Sequence, residues 1–258
     1  MKIAYSAIAF LSRLAFAGIS LMAVTYAETA PTPAPVAEAI SKMKLPGIEI
    51  NAAERYVDVE ATICLEKGYL ELIACTKGSK EHESIITVEA LPKHIHVALL
   101  LLGAKNGTPA SRRMLDEETR EWQEIPPQGD SIDLSLVWKN PDGKWIERSI
   151  SDFVSHKDAQ NPPPAAEPKK PAVEKFPSTF LFAGSLLGDA GKRPRDYLAD
   201  KSGHVVSIST YGDELLCLPG FQSQDNGALA WKVNSQNIPK LGTKVTLRLR
   251  LQKQPKPH

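Results

Sequence analysis

The sequence predicts an α+β protein, mainly antiparallel β-sheet with one firm buried helix. Three observations carry that expectation. Segments of strand length alternate apolar and polar residues, as in Lys244–Leu251, KVTLRLRL. Turn signals such as Asn140-Pro141-Asp142-Gly143 separate them. One segment, Pro92–Gly103, has a proline suited to a first helical turn, a glycine suited to the stop, and apolar residues nearly all round.

Taken in order, the chain opens with a segment of a different kind. Lys2 and Arg13 precede Leu14–Val24, LAFAGISLMAV, and Thr25-Tyr26-Ala27 presents small residues where a signal peptidase reads them. Residues 1–27 are therefore expected to be a secretory signal, cleaved after Ala27. The alternative is an uncleaved anchor, which needs about 20 apolar residues. Residues 28–47, rich in Ala and Pro, read as a flexible tether.

Ordered structure is expected from Ile48. Tyr56–Cys64 and Tyr69–Cys75 read as a hairpin around Glu66-Lys67-Gly68. His82–Ala90 reads as the next strand and Pro92–Gly103 as the helix. Ile132–Lys139 and Lys144–Arg148 form a second hairpin. Residues 156–177 carry prolines at 162, 163, 164, 168, 171 and 177, so they form a linker or long surface loop between a half at 48–155 and a half at 178–251. In the second half, Thr179–Gly184, Tyr197–Ala199, Val205–Ser209 and Lys244–Leu251 read as strands. Asp200-Lys201-Ser202-Gly203 reads as a hairpin turn and Asp213–Leu218 as a second helix. Residues 252–258 read as a disordered tail.

The halves share a pattern. Ile125–Leu136 and Ile238–Leu249 both read I-P-x-x-G-x-x-[IV]-x-L-x-L, and Ile85–Val88 resembles Val205–Ile208. Either a β-α-β unit is duplicated, or two unrelated strands are entered through the same kind of Pro/Gly turn.

Composition narrows function by exclusion. Of 258 residues, 42% are apolar and 24% charged, with a net charge of +1. Removal of residues 1–27 leaves 29 Lys and Arg against 30 Asp and Glu. No basic block suggests a nucleic-acid partner, and no later segment is long enough to span a membrane. Cys64, Cys75 and Cys217 form no C-x-x-C motif and read as buried free thiols, with pairing of two of them left open. No cofactor is expected.

Candidate chemistry concentrates in Lys80–Ala104, which holds His82, His94 and His96. His94 and His96 lie two apart on the expected helix, so their rings diverge by about 200°. His82, His96 and a carboxylate could hold a metal only if the strand end faces the helix start; Glu83 would then serve as general base. Structural histidines are the competing account. Neither Ser84 nor Ser185 sits in a G-x-S-x-G elbow.

Several of these residues also carry a family resemblance. Gly68–Ala74 (GYLELIA), His82-Glu83-Ser84, and Ile95–Gly103 (IHVALLLLG), with Phe182–Ser185 (FAGS), Tyr197–Asp200 (YLAD) and Trp231, resemble the YdjY-type domain of bacterial secreted proteins. The resemblance covers most of the chain after the tether and implies no assigned activity. Iron–sulfur associations of some relatives do not transfer, because three cysteines fall short of four thiolates. The expected function is an exported (periplasmic or secreted) non-catalytic binding module with an envelope or extracellular partner. The alternative is a metal-assisted hydrolase using His82, Glu83 and His96.

Overall fold

The computed structural model describes residues 44–158, 175–225 and 228–252. The signal segment with its cleavage point, nearly all of the tether, most of the proline-rich segment and the tail after Gln252 lie outside the described residues.

Fourteen strands are described: β1 Ile48–Asn51, β2 Tyr56–Ile63, β3 Leu72–Thr76, β4 Ser84–Val88, β5 Ser111–Asp116, β6 Glu121–Ile125, β7 Ser131–Lys139, β8 Trp145–Ser149, β9 Val154–His156, β10 Thr179–Leu181, β11 His204–Ser207, β12 Leu216–Cys217, β13 Trp231–Val233 and β14 Lys244–Leu251. Helix α1 is Pro92–Leu101 and α2 is Leu198–Ser202. The principal sheet runs β1-β2-β14-β7-β10-β12-β11-β3-β4, and β4 pairs back onto β2. That last pairing closes a barrel-like ring of eight strands, β2 through β14 to β4, and leaves β1 and β8 as flanking strands. The sheet is mainly antiparallel, with β3/β4 and β11/β12 parallel.

Alternation decides which side faces in. Val57, Val59, Ala61 and Ile63 of β2 and Val245, Leu247, Leu249 and Leu251 of β14 are buried. Their neighbours Tyr56, Asp58, Glu60 and Thr62, and Lys244, Thr246, Arg248 and Arg250, face outward. Helix α1 buries Pro92, Ile95, Ala98 and Leu99 against the β1–β2 side. It is not buried all round, because Val97 and Leu100 are exposed.

Strands from the two halves interleave around this one sheet. The two I-P-x-x-G strands are direct neighbours: Leu134 pairs with Leu249 and Leu136 with Leu247, about a local two-fold. The symmetry does not extend to the other matched pair. The parallel neighbour of β4 precedes it in the chain, whereas that of β11 follows it.

Four local expectations are corrected. β2 and β3 do not form a hairpin; both pair with β4 instead. His82 is not on a strand, since Glu81–Glu83 forms a 3-10 turn before β4. Tyr197–Ala199 is not a strand, because Leu198–Ser202 is helical and Gly203 ends it at φ +80°. Asp213–Leu218 is not a helix; it carries the short strand β12, placed between β10 and β11.

Candidate functional site

The family-like motifs converge first on a structural knot. Leu91, at the N-cap of α1, gives no side-chain cap. The cap comes from Asp200 of YLAD, which accepts from Lys93 N at 2.9 Å and pairs with Lys93 Nζ at 3.2 Å. His96 Nδ1 lies 2.8 Å from the Tyr197 hydroxyl. That hydroxyl donates to Gly184 O at 2.8 Å, so its single proton is committed and His96 Nδ1 is the donor to the tyrosine oxygen. Phe182 packs edge-on against His96. Ser185 sits in the left-handed region at φ +53°. Its hydroxyl donates to Asp213 O at 2.6 Å and accepts from Ala199 N at 3.0 Å. His96, FAGS and YLAD thus lock the helix to the second half.

Beyond Ser185 lies a cluster of polar groups under the loop that follows β3. His204 Nδ1 is 2.6 Å from Asp213 Oδ1. The imidazole stacks on Tyr211 at 3.9 Å, and the tyrosine hydroxyl donates to Glu71 in a very short hydrogen bond. Lys80 Nζ lies over the same tyrosine ring and binds Glu83 at 2.5 Å. Glu214, fully buried, accepts from Asp213 N and Tyr211 N. Burial pushes the Asp213 carboxyl up, but His204, Ser202 and a backbone amide together hold that group below its ordinary range. Burial pushes the Glu214 carboxyl up and the Tyr211 hydroxyl well up. The carboxylates are already engaged, and His204 Nε2 meets no hydrogen-bonding partner.

The sequence-derived residues divide between these places. Glu83 joins the cluster. His82 stands beside it, with an imidazole 79% exposed and 3.6 Å from Glu83. His96 belongs to the knot. Among the described residues no group of three His, Cys, Asp or Glu side chains could hold a metal ion. The His82, Glu83 and His96 centre is therefore not assembled, because the 3-10 turn and α1 present these histidines to different neighbours. His204, Asp213, Tyr211, Glu71 and Glu214 were not singled out in the sequence. The signal available was the dense run Tyr211-Gly212-Asp213-Glu214 just after a strand.

A concavity of about 910 Å³ lies on the outer face of the sheet. It crosses β4, β2, β14, β7 and β8. Thr62 faces Thr87 across one ladder and Lys244 across the next. Thr246 faces Glu60 and Val137. Trp145, 62% exposed, forms one wall and Leu241, 61% exposed, another. Thr87 Oγ1 is buried with no hydrogen-bonding partner. Glu60, Glu81 and Glu89 are matched in the lining by Lys77, Lys139 and Lys244. Lys77 binds Glu89 at 3.0 Å, and Lys139 lies over the Trp145 ring.

A closed, mainly antiparallel barrel with a capped flanking helix and a groove on its outer face is the class these features define. The chain belongs to the YdjY domain family, whose model matches residues 48–250. No curated protein and no solved structure matches it. Among the described residues no helix is long and apolar enough to cross a membrane.

Proposed function

We propose that this chain is an exported, periplasmic or secreted, non-catalytic binding module whose outer groove takes an uncharged oligosaccharide. The observation that carries the reading is the groove's composition: an exposed indole on the same sheet face as Thr62, Thr246 and the carboxylates of Glu60 and Glu89. Aromatic faces take the apolar side of a flat ring, and converging polar side chains take its hydroxyls. Three acidic and three basic lining residues cancel, which disfavours a strongly charged ligand. Of the lining strands, β2, β4, β7 and β14 are paired on both sides, whereas β8 pairs only with β7 among the described strands. Export rests on the segment preceding Glu28, and the binding role places an envelope or extracellular glycan as partner.

The test uses the chain Glu28–His258 in titrations with soluble oligomers of glucose and of N-acetylglucosamine, followed by calorimetry. At least one series is expected to bind saturably, and Trp145→Ala to weaken it at least tenfold with unchanged melting temperature. Equal affinity in Trp145→Ala, or no binding by either series, contradicts the reading.

A further inference from the structure

We propose that the exposed face of α1, with Leu187 and the cations beside it, is a docking surface for an anionic phospholipid bilayer. This does not depend on the groove's ligand, and none of these residues lines the groove. Of the eleven exposed large apolar side chains among the described residues, five lie on α1, at its N-cap or at Leu186-Leu187, so apolar exposure concentrates around the knot. Val97, Leu100 and Leu187 share one side of it. On α1, Lys93, Val97 and Leu100 fall on successive turns, opposite the buried Ile95, Ala98 and Leu99. Leu187 is bridged to Tyr197 in an antiparallel pair, so the two side chains point the same way. The Tyr197 hydroxyl reaches His96, which precedes Val97 and lies one turn before Leu100.

Charge selects the occupant. Lys93, Lys192, Arg193, Arg195 and Lys201 stand around this face with Asp189, Asp196 and Asp200; five cations against three carboxylates leave an excess of two. Asp200 is taken by Lys93, and Asp196 is shared by Lys192 and Lys201. Neither arginine has a carboxylate partner among the described residues. Arg195 donates instead to Leu187 O at 3.0 Å and Gly188 O at 2.9 Å. That anchors an exposed guanidinium beside an exposed leucine. Apolar side chains flanked by uncompensated cations suit the boundary between headgroups and acyl chains, where the cations meet lipid phosphates. A second copy is disfavoured, because a two-fold contact through this face would set the same cation excess against itself.

The experiment sediments the chain Glu28–His258, which begins after the apolar Leu14–Val24 segment, with lipid vesicles. One set is phosphatidylcholine alone, and the other mixes it equally with phosphatidylglycerol. Binding to the anionic set is expected to exceed binding to the neutral set at least about tenfold, and to weaken as salt rises from about 0.05 M to about 0.5 M. Leu187→Ser and Arg193→Glu should each weaken it at least about threefold while keeping the wild-type thermal transition. Trp145→Ala should bind these vesicles as wild type does. No preference for the anionic set, or wild-type binding by Leu187→Ser and Arg193→Glu, would overturn the proposal. So would loss of binding in Trp145→Ala, which would assign the lipid to the groove. A dimer in the absence of vesicles that Leu187→Ser disperses would overturn it too, and give this face to a second copy.

Discussion

His96 shows how a residue read as chemistry serves structure. Its ring is half-buried between Phe182 and Tyr197, and burial holds it below the usual 6.5 for histidine. The folded state therefore resists a proton that the unfolded chain accepts. In linkage terms the unfolded state binds more protons as pH falls below 6.5, so stability is lost on acidification through that value. We predict that urea denaturation shows a lower stability at pH 5.5 than at pH 7.5. His96→Gln should flatten that slope, because glutamine does not titrate. A slope unchanged by the substitution would place the titrating group elsewhere.

At the scale of elements, α2 and its glycine hold the knot in place. Gly203 ends α2 in the left-handed region, and a Cβ there would run into Thr76 and Ser79 side chains. Gly203→Ala is expected to cost about 1–3 kcal/mol, read as a lowered midpoint in chemical denaturation. By contrast, the β5–β6 hairpin pairs with no other described strand, and Trp122 is 51% exposed. Trp122→Ser should shift the same midpoint by less than about 0.5 kcal/mol.

Much of this element level was legible in the sequence, for local reasons. Helix α1 declared itself through Pro92 and Gly103, and β7 and β14 through alternation. The misread elements are those decided by distant partners. Local pattern predicts a strand at Tyr197–Ala199 and a turn at Asp200–Gly203, but the segment is helical where Tyr197 and Asp200 serve α1, about a hundred residues away in the chain. Local pattern predicts a helix over Asp213–Leu218, but Leu216-Cys217 is strand because it inserts between β10 and β11. The site divided likewise. Glu83 was found because it lies beside a histidine in sequence. The His204–Asp213 pair was not, since a turn rather than a motif spacing brings those residues together.

At the scale of the molecule, ring closure turns one face of the sheet into a surface without free edges along its centre. The inner residues supply stability, and the outer residues of β2, β4, β7 and β14 are left to meet a ligand. The most direct measurement is backbone amide mapping by NMR during titration with the oligosaccharide that binds in calorimetry. Shifts confined to Thr62, Thr87, Trp145, Lys244 and Thr246 are the predicted result. Shifts centred on Lys80, Glu83 and Tyr211, with the groove unmoved, would contradict it and move the binding site to the polar cluster.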